Sequence, residues 1–321
     1  MSETTELVER SLSAETAEQF MARVDQQADR LREAIRAGTL DNPDFAVGLE
    51  MEVYCVDADG RLAEVPDDTY AAGATKELGV HNAEINTDPD TFDQAGLGAQ
   101  AERISAQFGA ADDAAASEDC RLVNDAMWTV PPETGSEAYL GTTENREGVI
   151  FATNMRADPR YTALDNETLR LCDGAVEFDV PGVDRTFPSI LFESLATSIQ
   201  PHLQIPRAEE FPAYYNAAIR TLGPVLALST NAPFLPPDLY TDVSDPERLV
   251  DETHHELRIA AFEQSMNATP SPKVRVPADI DSAEETVDRV VEDDLFAPFL
   301  REWVADEPRD SFADENWEFD Y

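Results

Sequence analysis

The chain has 321 residues, 42% of them hydrophobic, which is enough apolar material for one large core or two small ones. Its 66 acidic residues against 23 basic ones give a net charge of -43, so it offers no basic footprint for nucleic acid or anionic lipid. No apolar run approaches the ~18 residues of a membrane span, the opening MSETTELVER lacks the basic start and apolar block of a signal peptide, and three widely spaced cysteines (Cys55, Cys120, Cys172) suggest neither a disulfide framework nor a Cys-based zinc site.

The acids alternate with well-patterned apolar segments, so composition does not predict disorder. It predicts an acidic, solvated surface suited to concentrated salt, where the Debye length shrinks to ~3 Å at 1 M, and hence a halophile's cytoplasmic protein. Residues 14 to 37 predict an amphipathic helix with Phe20, Val24, Ala28, Leu31 and Ile35 on one stripe, Ser13 at its start and Gly38 at its end.

Residues 46 to 57, AVGLEMEVYCVD, then alternate with period two, which predicts a strand with Val47, Leu49, Met51, Val53 and Cys55 on one face. The other face carries Gly48, Glu50, Glu52 and Tyr54, its two carboxylates about 7 Å apart along the strand. Such acids commonly just face water, but two repelling carboxylates on one face also suit a cation. Asp57, Asp59 and Gly60 predict a turn into a short partner strand at 62–65.

The pattern recurs at HNAEINT, 81–87, where Ala83 and Ile85 would face inward and Asn82, Glu84 and Asn86 outward. Residues 91–116 predict a helix with Phe92, Leu97, Ile104 and Phe108 on its stripe, residues 120–130 a strand, and 133–145 a loop. Four arginines, Arg146, Arg156, Arg160 and Arg170, then fall within twenty-five residues. They suit either an anionic ligand or ordinary pairing with acids such as Asp158 and Asp165. A third recurrence, IQPHLQIP at 199–206, sets Gln200, His202 and Gln204 against Ile199, Leu203 and Ile205. Helices are predicted over 209–230 with a kink at Pro224, over 245–265 with His254 and His255 as surface or cap residues, and over 282–304. If the three alternating faces coincide, Glu50, Glu52, Glu84 and His202 make an oxygen-rich donor set of the kind that favours Mg or Mn over zinc.

Taken together and in order, VGLEMEVYCVD, ELGVHNAEINTDP (77–89), the Arg160-Tyr161 pair, PHLQIP and ALSTNAPF (227–234) resemble the glutamate-cysteine ligase-like family of carboxylate-amine ligases. The resemblance implies an α+β fold like that of glutamine synthetase, with a curved, mainly antiparallel sheet, flanking helices, and a concave face that holds Mg and ATP. It implies Glu50, Glu52, Glu84 and His202 as metal ligands and Arg160 and Arg258 as catalytic arginines. Arg160, Tyr161 and Asn231 would bind substrate, and Arg258 the nucleotide. The implied reaction joins glutamate to an amine such as cysteine through an acyl phosphate. The implied partners are these small molecules, with neither nucleic acid nor membrane, and an oligomer is left open. The family's first strand histidine is here Gln200, and no segment like its C-terminal strand is found in the 321 residues. Residues 1–44 are therefore expected to form an N-terminal helical segment and 45–321 a shortened catalytic domain. Its rivals are a ligase for another carboxylate and amine, and a non-catalytic Mg-ATP-binding relative.

Overall fold

A computed structural model describes residues 3–241, 245–268 and 272–303 of the chain. The first two helices are α1 (Glu3–Ser11) and α2 (Ala14–Ala37), the second starting where Ser13 accepts a hydrogen bond from the Thr16 amide and stopping at Gly38, whose φ of 68° only glycine adopts without strain. Val8 of α1 is fully buried against Val149, Ala163 and Phe299, which ties the N-terminal helices to the rest.

Strand β1 (Ala46–Val56) is the axis of the molecule. The remaining strands follow in chain order as β2 (Thr75–Lys76), β3 (Asn82–Asn86), β4 (Asp90–Thr91), β5 (Arg121–Val123), β6 (Thr143–Arg146), β7 (Val149–Ala152), β8 (Val176–Val180), β9 (Val183–Phe187) and β10 (Ile199–Gln204). Six of them form one open antiparallel sheet in the order β10, β1, β3, β2, with β4 and β5 also pairing with β1, while β6–β7 and β8–β9 are separate hairpins. The fold is therefore mixed helix and strand built on antiparallel sheets.

The period-two reading of β1 holds, because Val47, Met51, Val53 and Cys55 are buried on one face. Met51, Val53 and Cys55 meet Ala83 and Ile85 of β3 and Ala111 and Ala115 of helix α4, which follows a short helix α3 (Asp67–Ala71) and spans Gln94–Ala116. Side chains of this size each gain roughly 1.5–3 kcal/mol on full burial, so this face is held firmly. Tyr54 points the other way yet is also buried, in the second and larger core around Trp128, Phe178, Phe187 and Phe192.

Several expected elements differ. Phe92 and Leu97 are exposed: α4 begins only after its N-cap Asp93, and it buries Gly96, Gln100, Ala111 and Ala115, with Ile104 and Phe108 of the expected stripe packed against the same core. The strand expected over 120–130 ends at Val123, with a single bridge from Met127 to Ala196 beyond it. The expected partner strand at 62–65 is one bridge, Val56 to Leu62. The expected loop at 133–145 contains α5 (Ser136–Gly141) and the start of β6. The helices α6 (Pro159–Leu171) and α7 (Phe211–Ser229) follow, the second with Pro224 inside it. In place of one helix over 245–265 there are two, α8 (Pro246–Glu252) and α9 (Leu257–Met266), and His254 and His255 lie exposed in the break. The last expected helix is α10 (Ala283–Glu292), which stops at Asp293; the expected end at Val304 lies outside the described residues. Among the described residues no helix is long and apolar enough to cross a membrane.

Candidate active site

The polar face of β1 gathers its neighbours by register. Directly opposite one another stand Gly48 and His202, Glu50 and Gln200, Glu50 and Asn86, and Glu52 and Glu84. Paired residues of an antiparallel ladder point to the same side, so the three alternating segments do present one common polar face. Glu50, Glu52, Glu84 and His202 all belong to it. His202 Nε2 lies 3.1 Å from Glu50 Oε2. At the Gly48 end a cavity of about 230 Å³ is bounded by Gly48, Glu50, Asn86, His202 and Gln204. A Cβ added at Gly48 would find only the Thr87 carbonyl, at 3.6 Å, so its missing side chain leaves room for a ligand rather than relieving a clash.

The electrostatics of this face are those of crowded acids. Burial raises the Glu52 carboxyl and Glu84 adds to the rise, while hydrogen bonds from the Ser198 amide at 2.8 Å and from Gln200 Nε2 at 3.2 Å oppose it. Burial, with Glu52 and Glu84 close by, pushes Glu77 up to about 7. Burial and the charges of Glu52 and Glu77 push Glu193 up to about 8. Four carboxylates thus feel one another across the end of the sheet. Arg160 relieves Glu77 in part and stands 5.4 Å from the Tyr161 ring, so this sequence-predicted pair meets the acids at Glu77. Arg258 and Asn231 also meet. Arg258 grips Glu256 with Nε at 2.7 Å and Nη2 at 2.9 Å, donates through Nη1 to the Thr197 carbonyl at 2.8 Å, and reaches Asn231 Oδ1 at 3.4 Å. Thr197 adjoins Ser198, the residue that binds Glu52, so Arg258 is anchored at the Glu52 end of β10.

The other arginines of the 146–170 group divide differently. Arg146 pairs with Glu144 and Arg170 with Glu167, whereas Arg156 donates to the Val80 carbonyl at 3.0 Å. The acids expected to pair with them are used elsewhere: Asp158 caps α6, and Asp165 accepts from Ser189 Oγ and the Ile190 amide.

The donor set suits a hard divalent cation on one further observation: Asn86 Oδ1, paired across from Glu50, is buried without a hydrogen-bond partner. An orphaned oxygen acceptor beside uncompensated carboxylates is the environment that such a cation satisfies. Among the described residues no three His, Cys, Asp or Glu side chains already converge as ligands. Glu77, Glu193 and Glu256 are not singled out by the sequence. Glu193 had a signal, a lone acid inside the apolar run SILFESLA, and Glu77 opens the ELGVHNAEINTDP motif.

The family model of glutamate-cysteine ligase family 2 matches residues 46–317, and the chain belongs to that family. Among solved structures it is similar to the glutamate-cysteine ligase of Francisella tularensis, crystallised in complex with AMP, at 13% identity and a TM-score of 0.39 over 68% of this chain. The matched part spans 43% of that enzyme's chain. No curated protein matches.

Proposed function

We propose that the chain is an ATP-dependent carboxylate-amine ligase that activates the side-chain carboxylate of glutamate and passes it to an amine, with cysteine as the first acceptor to try. The observation that carries this reading is the common face of Glu50, Glu52, Glu84 and His202, made by three strands that are far apart in sequence. In this reading the sheet is the concave wall of a glutamine synthetase-like catalytic domain.

A divalent cation held by Glu50, Glu52, Glu84 and His202, with Asn86 beside them, would neutralise phosphate charge during transfer of the γ-phosphoryl group. The substrate carboxylate attacks that group, ADP leaves, and the amine then displaces phosphate from the acyl phosphate. In this reading Arg160, which lies over the Tyr161 ring and close enough to Glu77 to relieve it, would bind the substrate carboxylate. Arg258 spends four of its five N–H donors on protein oxygens, so it offers one fixed N–H to a phosphate oxygen, with Asn231 beside it.

Substrate-dependent ADP release, measured in concentrated salt with Mg across a panel of acids and amines, tests the reading. Release confined to glutamate with one amine supports it, and release with another pair reassigns the substrates. Equal rates with and without every acid would contradict it. A second reading, a Mg-ATP-binding relative without turnover, is favoured by Gln200, whose amide takes up Glu52 Oε1. Tight nucleotide binding with no ADP release in the same panel is its signature.

A further inference from the structure

Helix α7 is fastened near both ends and exposed along its second half. In its first half the Tyr214 ring meets Phe45 at 5.2 Å, and Arg220 pairs with Asp279. The Asn216 side-chain amide brackets Ile280, donating to its carbonyl at 2.8 Å and accepting from its backbone amide at 2.9 Å. Just past the end of the helix, Ala232 is buried and bridges to Glu256, and the Asn231 amide donates to Glu256 Oε2 at 3.4 Å. Between these fastenings every residue from Arg220 to Ser229 is exposed, with Val225 58% and Leu228 90% open. No residue of the whole helix is buried.

Such a segment lacks what ordinarily keeps a helix formed. Gly and Pro are the poorest residues in a helix interior, and Gly223 and Pro224 stand side by side here. Packing of an apolar face normally outweighs that cost. Leu222, Val225, Leu226 and Ser229 repeat at the spacing of a helix–helix seam, yet none of them is buried by the described residues. Charge is missing from the same stretch. The chain has 66 acids among 321 residues, about one in five, but the nineteen residues of α7 hold none. Strand β10, which precedes it, is also exposed at all six positions and free of acids, and Pro201 in its middle has no N–H to offer an added strand.

We infer that the second half of α7 is the interface of a homodimer, in which Leu222, Val225 and Leu226 of one copy pack against the same residues of a second across a two-fold axis. Charge selects this occupant. A basic partner would be met by acids, and α7 presents none. Two chains that each carry -43 can approach only where acids are absent. The α7 face of a second copy is apolar and acid-free like the first, which is the self-complementarity that a two-fold contact requires. Pro201 steers that contact to the side chains of α7 and away from extension of the sheet. Because the remaining acidic surfaces repel, the dimer tightens as salt rises, the opposite of a contact made between unlike charges.

The test is sedimentation of the full chain over a concentration series at several KCl concentrations, with hydrogen exchange recorded on the same samples. The parent in concentrated KCl is expected at twice the 35.4 kDa of one chain. The amides of residues 222–229 should be protected in that dimer and lose protection on dilution. Leu222→Glu combined with Val225→Glu is expected to weaken association by about 100-fold or more, because it buries like charges against each other. Val290→Glu, at a position on α10 that is 68% open, should leave association unchanged. A parent that stays a monomer at every concentration and salt overturns the inference, as does a dimer that the double variant leaves intact or one that weakens as KCl rises. Protection of 222–229 that dilution does not reduce would mean that a segment of the same chain covers α7, which also overturns it. The dilution series on the parent decides the matter even if the double variant fails to fold.

Discussion

In the proposed reaction the chemistry would turn on Glu52, which is partly buried, faces Glu84, and accepts from Ser198 and Gln200. Glu52→Gln is expected to reduce ADP release at least 100-fold while leaving the melting temperature within a few degrees, because the amide keeps the shape and one acceptor; an unchanged rate would exclude Glu52 from the reaction. Asp165 makes a second prediction, well away from those acids in role. Burial raises it to about 7, against the accepting bonds from Ile190 and Ser189, so folding favours its protonated form. For a carboxyl whose folded value lies above its unfolded one, the stabilisation is complete below about pH 4 and is lost as pH rises through about 7. At about 1.4 kcal/mol per unit the loss is on the order of 3–4 kcal/mol between those limits. Asp165→Asn should flatten that part of the stability profile, as read by denaturant melts from pH 4 to 8. Single residues were the least legible scale in the sequence. Glu50, Glu52, Glu84 and His202 announce themselves by strand alternation, whereas Glu77, Glu193 and Glu256 owe their importance to neighbours distant in the chain.

At the level of elements, patterning read best where burial is one-sided. Strand β1 and helix α2 fall where period two and the caps put them, because each has one apolar face and clear end signals. The helix over 245–265 breaks because Glu256 turns back to hold Arg258 and the Asn231 amide, and no periodicity encodes that. The first turn of α4 was misread for a similar reason: there Gly96, not Phe92 or Leu97, makes the contact, whereas Ile104 and Phe108 further along do pack on the core. Gly96 lies so close to the Thr91 carbonyl that an added Cβ would sit 1.8 Å from it, whereas Gly98 has nothing within 4 Å. Gly96→Ala is therefore expected to destabilise the fold by about 2 kcal/mol or more, and Gly98→Ala to stabilise it by up to about 1 kcal/mol through helix propensity. Thermal melts of the two variants side by side check the contact, and equal shifts would contradict it.

For the molecule as a whole, a net charge of -43 sets the conditions under which anything else can be measured. Raising salt from 0.1 M to 1 M shortens the Debye length from ~10 Å to ~3 Å, so the melting temperature should climb with NaCl and fall sharply in dilute buffer. The net charge is read directly from composition, while the convergence of the three polar strand faces depended on a register that no local pattern contains. The account stands on that convergence serving as a cation site. Crystals soaked in Mn and measured at the Mn absorption edge test it most directly. The account predicts anomalous peaks bounded by Glu50, Glu52, Glu84 and His202. Peaks confined to other acidic surfaces, with this face empty at saturating Mn, would contradict it.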